Sequence, residues 1–129
     1  MIALVGTVDG AFAVDLETED IEPEAPFTPA AAPPLNLPRV IAAAASGSTI
    51  VAVVDAKPPL LVSHDAGTTW RESGRGLPAV RAVAIDDLDP DIVVLATRNR
   101  LYLSRDGGLF WTAVGVELPE IETLALREA

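Results

Sequence analysis

The stretch SHDAGTTW, Ser63 to Trp70, sets a hydroxyl, the chain's only imidazole and a carboxylate side by side. Forty-one residues later the chain reads SRDGGLFW, Ser104 to Trp111, with Ser, Asp, Gly and Trp at identical spacing. Such an octet is either the working part of an enzyme or a stitch in a repeating fold. The residue types favour the stitch. Asp65 and Asp106 are short carboxylates suited to accepting bonds from amides of their own tight turn. Gly67 and Gly108 supply a backbone conformation that a Cβ resists. Trp70 and Trp111 start the next strand and offer large apolar faces for packing between units. His64 is matched by Arg105, so it occupies a variable position and is expected to be exposed. Nothing here sets a nucleophile beside a base. A second acidic stretch, DDLDPD from Asp86 to Asp91, has the oxygen ligands that Ca²⁺ prefers. It lacks the glycine and regular spacing of a calcium loop and reads as solvated turn acids. No catalytic, cofactor-binding or metal-binding residue is assigned, and no cofactor is expected.

Composition narrows the partners. The 129 residues suffice for one domain, and half are hydrophobic, enough for a core without staples. With no cysteine there is neither a disulfide framework nor a thiolate metal site. Nineteen acids against nine bases give a formal charge of -10, which argues against nucleic acid and anionic membranes as partners. Lys57 is the single lysine. An acidic, lysine-poor, Ala- and Val-rich chain resembles proteins of salt-loving microbes, in which salt screens self-repulsion. The longest mostly apolar uncharged run, Val40 to Val54, is broken by SGST and is shorter than the ~20 residues a membrane span needs. The N-terminus has no basic stretch of the secretory type, so a cytoplasmic location is expected.

The octets must be carried by repeated elements. LLVSHDAGTTW (60–70) aligns with LYLSRDGGLFW (101–111) at five of eleven positions. Upstream, IVAVV (50–54) matches IVVLA (92–96) in character. Leu-Pro pairs at 37–38, 77–78 and 118–119 each precede an apolar run. IALVGTVDGAFAV (2–14) lies over IVVLATRNRLYLS (92–104), but there the octet is lost and Ile21 falls where the tryptophan should be. The chain therefore holds three copies of a unit of about forty residues. Each full unit reads as four short strands. In the third these are 80–85, 92–97, 101–104 and 111 to about 116, with the octet as the last turn. Alternation, β-branched content and Asp/Gly/Pro punctuation exclude helices.

Ser-x-Asp-x-Gly-x-x-Trp resembles the Asp-box, or BNR repeat, of sialidases, sortilin-type receptors and photosystem II assembly factors. The resemblance implies an all-β chain of propeller blades, each of four antiparallel strands. It gives Ser63, Asp65, Gly67, Trp70, Ser104, Asp106, Gly108 and Trp111 a structural role on the blade rim. Sialidase chemistry is not carried over. It would need three separated arginines, a tyrosine nucleophile with a carboxylate partner and an acid/base aspartate. The only tyrosine, Tyr102, sits at a strand position equivalent to Phe12 and Leu61, and Arg98, Arg100 and Arg105 cluster at one hairpin.

The phase of the repeat bears on assembly. The chain starts on a second strand and ends on a first strand, so blade 1 (about 2–38) lacks its innermost strand. Blade 2 spans about 39–78 and blade 3 about 79–119, while 120–128 offer a strand without a blade. Three blades fall short of the 4–8 of closed propellers, and two copies make six. The expectation is a homodimer in which residues 120–128 of each protomer complete blade 1 of the other; the competing reading is half of a longer propeller. Start and end residues favour a complete product. Leu16 to Pro38, acidic then proline-rich, is about eight residues longer than its counterparts. It reads as an irregular outermost strand with a loop, or as rim decoration that serves as a spacer. The alanine row 42–45 lets inner strands crowd the axis. Two functions follow: a non-catalytic scaffold binding a protein or small molecule at its channel or on one face, or a glycan-binding or sialidase-type module argued from fold alone.

Overall fold

The computed structural model describes all residues, Met1–Ala129. Every regular element is a β-strand: β1 (Ile2–Thr7), β2 (Gly10–Asp15), β3 (Ile21–Glu24), β4 (Val40–Ser46), β5 (Thr49–Val54), β6 (Leu60–Ser63), β7 (Arg71–Ser73), β8 (Ala82–Ile85), β9 (Val93–Ala96), β10 (Leu101–Ser104), β11 (Thr112–Ala113) and β12 (Ile121–Arg127). No helix is long and apolar enough to cross a membrane. The strands form three four-stranded antiparallel sheets, ordered β12-β1-β2-β3, β4-β5-β6-β7 and β8-β9-β10-β11. These are the three expected blades. The outermost strand of the third is shorter than its pattern suggested, two residues after Trp111.

The first blade corrects one expectation. Its innermost strand is not borrowed: β12 pairs with β1 of the same chain, from Ile2 opposite Arg127 to Thr7 opposite Ile121. The connection to the second blade explains how. Residues 25–39 make a link of 15 residues, whereas 74–81 and 114–120 use 8 and 7. At ~3.3 Å per residue the long link reaches up to ~50 Å. It therefore does not have to deliver β4 to the neighbouring position. In space the blades run second, third, first, with β8 in contact with both β4 and β12.

Alternation along the strands builds the joints between blades. Val51, Val53, Leu60 and Val62 of the second blade meet Val83, Ile85, Val93 and Leu95 of the third in one buried cluster. The other face of the third blade, with Ala82, Ala84, Val94, Ala96 and Leu101, packs on Ala3, Val5, Val14, Ile121 and Leu124 of the first. The third blade is thus apolar on both faces, and β8 and β9 are buried at every position. The first and second blades each keep one face without a neighbouring blade.

The long link also departs from expectation. Its start fits: β3 is the outermost strand, and Pro23 lies on it opposite Phe12, with an edge free for a residue that has no N–H. The remainder is not rim decoration. The Phe27 ring lies over Gly6, and Thr28, Ala30 and Ala31 stand beside the inner strands of all three blades.

Candidate functional site

The two octet turns are closed hydrogen-bonded units. Ser63 Oγ donates to Asp65 Oδ1 at 2.8 Å and accepts from the Gly67 amide at 2.8 Å. Asp65 also accepts the Thr69 amide at 2.8 Å and the Thr69 hydroxyl at 2.5 Å. In the second octet Ser104 Oγ donates to Asp106 Oδ1 at 2.7 Å and accepts from the Gly108 amide at 2.9 Å. The amides of Leu109 and Phe110 both reach Asp106 Oδ1 at 3.1 Å. Gly67 and Gly108 each have φ of +93°, the left-handed geometry that favours glycine.

This geometry assigns the carboxylates a fixed state. The Thr69 hydroxyl, then its amide and the Ser63 hydroxyl, hold the Asp65 carboxyl down at about 2. The Ser104 hydroxyl, helped by the Phe110 and Leu109 amides, lowers Asp106 against a desolvation penalty. Such groups stay ionised at neutral pH, the wrong state for a general acid. Each serine hydroxyl donates its hydrogen bond to the neighbouring aspartate, and no imidazole accepts from it. His64 Nε2 instead meets the Gly107 carbonyl of the third blade at 2.9 Å. His64 is exposed, as its variable position suggested.

Trp111 does pack between units. Its Nε1 donates to Ser73 Oγ of the second blade at 3.1 Å, and Ser73 Oγ donates to the Gly108 carbonyl at 2.5 Å. Trp70 differs: its Nε1 bonds within its own turn, to the Gly67 carbonyl at 3.1 Å. Sequence reasoning did not find Ser73, whose repeat equivalents are Glu24 and Val114, nor Thr69, which occupies a variable octet position. Ser46 was also missed; its Oγ donates to the Asp86 carbonyl at 2.8 Å and ties β4 to the third blade.

The other candidates separate by position. In the acidic loop, Asp89 Oδ1 accepts the Asp91 amide at 3.1 Å, an ordinary turn contact. No group of three or more His, Asp or Glu side chains converges as a metal site would require. Tyr102 is half-buried against the joint between the second and third blades. Arg81 and Arg98 flank Glu120 at 3.3 and 3.0 Å, and the Arg81 hydrogen bond and both charges lower its carboxyl. This is a mostly exposed surface network without a nucleophile.

The inner strands line a cleft of about 310 Å³. Ala43–Ala45, Val83–Ile85 and Leu124–Leu126 form its walls, Thr28, Ala30 and Ala31 of the long link close one side, and Asp87 is its one charged residue. The volume lies at the small end of ligand pockets. Its apolar lining suits an uncharged segment, and Asp87 stands there as a lone carboxylate without a second titratable group.

No family model and no curated protein sequence matches the chain. Among solved structures, the chain is similar to one described as "YCF48 bound to D1 peptide", with a TM-score of 0.53 and 21% sequence identity. The match covers 92% of this chain and 37% of that one, so the chain spans little more than a third of that protein's length. A likeness at this identity concerns the fold: three four-stranded blades of a propeller-like, all-β architecture.

Proposed function

We propose that the chain is a non-catalytic propeller-type scaffold that binds an extended segment of a partner protein in its inner cleft and works as a homodimer. In this reading Ser63, Asp65, Gly67 and Trp70, with Ser104, Asp106, Gly108 and Trp111, are structural Asp-boxes that hold the blades and touch no ligand. The observation that carries it is the cleft, which combines three inner strands and an apolar lining with a single carboxylate, Asp87, that has no second titratable group among the lining residues. The similar structure is of a protein with a bound peptide, which agrees with a peptide-sized occupant. Homodimerisation is supported by the two blade faces left without neighbours and by the 4–8 blades that closed propellers need.

A peptide array of extended decamers, probed with wild type and with Ala45→Phe, tests the reading. Ala45 is exposed, lines the cleft and belongs to neither buried cluster, so the added ring should fill the cleft while leaving the joints intact. Wild type is expected to bind a subset of uncharged sequences and the variant to lose them at unchanged Tm. Equal binding by both would refute the cleft as the site. Turnover of fluorogenic glycosides by wild type would overturn the non-catalytic assignment in favour of the sialidase-type alternative.

A further inference from the structure

The joint between the second and third blades shows how one repeat receives the next. Trp111 projects from the third blade, its Nε1 bonds Ser73 Oγ, and Val62 and Val51 close around Gly108. Trp70 holds the same octet position one blade earlier, on the face that looks away from the third blade. Its ring and Ile50 close around Gly67, and no blade covers them. At the far end of the arc, the first blade presents the face equivalent to the one that receives Trp111. Alternation along β1 and β2 puts Leu4, Gly6, Ala11 and Ala13 there, and Phe27 lies on Gly6. Glu24 stands opposite Ala11 as Ser73 stands opposite Leu60, so its carboxylate takes the place of the Ser73 hydroxyl. Arg127 holds that carboxylate at 2.9 Å, and its second oxygen keeps further lone pairs for a donor.

We propose that a second copy of this chain seats its Trp70 face on the Phe27–Glu24 face of the first, with Trp70 Nε1 exchanging the Gly67 carbonyl of its own turn for Glu24 as acceptor. This rests on the homodimer reading above and names its surfaces. Each copy carries both faces, so the contact forms twice about a two-fold axis and closes six blades, within the range of closed propellers. The third blade separates the two faces of one chain, so neither can satisfy the other. The match is one of shape and hydrogen bonding: an indole with a donor meets a small-residue face with an acceptor at the repeat-equivalent site.

Light scattering on wild type, Trp70→Glu, Glu24→Arg and an equimolar mixture of the two variants tests this. Phe110→Ser, at a rim residue 78% exposed, is the control. Wild type and control are expected at twice the 13.5 kDa chain mass. Each variant alone should run at the single-chain mass, because each spoils both joints of its ring. The mixture should recover dimers, because pairing the two variants leaves one joint with both native faces. Recovery also requires both variants to be folded. A wild-type monomer overturns the proposal and the homodimer reading together, whereas peptide binding in the cleft is scored separately. A wild-type dimer that survives Trp70→Glu, or a mixture that stays monomeric, overturns these surfaces and leaves the homodimer reading standing. Masses rising beyond two copies mean an open head-to-tail chain and overturn the six-blade ring.

Discussion

Replacing Ser73 by Ala tests whether one hydroxyl links the second and third blades. Ser73 is 8% exposed and uses its Oγ twice, as acceptor for Trp111 Nε1 and as donor to the Gly108 carbonyl. Deleting it leaves an indole N–H and a carbonyl at the joint without these partners, with little room for water. One net hydrogen bond is worth ~1 kcal/mol, and a buried orphan costs ~1–3 kcal/mol. We therefore expect a loss of about 2 kcal/mol. An unfolding entropy of ~2.1 cal/mol/K per residue over this length converts that to a fall in Tm of about 7 °C. Thermal melts by circular dichroism, at one protein concentration to hold any association constant, supply the number. Trp111→Phe removes the donor from the other side. The two changes share a partner, so the double variant should lose clearly less than the sum of the singles. A Tm for Ser73→Ala within 1–2 °C of wild type (~0.5 kcal/mol on the same scale), or strict additivity, would refute the link.

The remaining tests concern the turns, the charge and the closure. Asp65 titrates near 2 in the folded chain, below its ordinary 3.8. Its contribution is therefore whole above the ordinary value and lost as pH falls through 3.8 towards 2. Acid titrations followed by tryptophan fluorescence should show that loss in wild type and a shallower one in Asp65→Asn. Asp106→Ala should lower Tm by opening a turn that three groups close; a melt like wild type would remove its structural role. Gly108→Ala places a Cβ at φ +93° and 3.4 Å from Val62, and should cost about 1–3 kcal/mol in urea unfolding. Raising KCl from 0.1 to 2 M should raise Tm, since the screening length falls from ~10 Å to below ~3 Å around a chain of charge -10. Deleting residues 30–36 cuts the long link to 8, the length of its counterpart 74–81. The link should then no longer span the arc, and β12 should pair with β1 of a second copy. Cysteines at the facing positions Leu4 and Ala125, in a chain with none of its own, would report this as interchain disulfides on a non-reducing gel.

What was legible in the sequence was whatever repeats. Strand order within a blade and the octet turns each appear in two registers, so one copy vouches for the other, whereas only Trp111 of the two tryptophans reaches a joint. The octet could be read down to atoms because its bonds are local: Ser63, Asp65 and Gly67 satisfy one another within five residues. Ser73 and Ser46 escaped because their partners, Gly108 and Asp86, lie 35 and 40 residues away. No repeat-equivalent serine marks either position. The cleft was not read from the sequence, where the row of alanines on one strand suggested only close inner strands; its other walls, from β8, β12 and the long link, depend on blade order, which no local pattern encodes.

Blade order is also where the reading of closure went astray, and the reason is physical. The complementarity of β1 and β12 is written in both segments, as alternating apolar residues of matching length. Complementarity does not say which copy supplies the strand, because the six-residue ladder from Ile2 to Thr7 is the same bond set in either case. The decision lies in the entropy and reach of what connects the ends. A link of 7 or 8 residues delivers the next blade to the adjacent position and would leave β12 for a partner. A link of 15 lets the first blade swing round to the far side of the third and take β12 itself. Loop length costs little, ~0.6 kcal/mol per doubling, while pairing within one chain avoids the association cost of a second copy. The surplus residues in 25–39 were visible from the start, and their chemistry, extended and proline-rich, suggested a spacer. They do space, but across the inner cleft rather than along the rim. The same segment therefore both closes the first blade and walls the surface on which a ligand would lie.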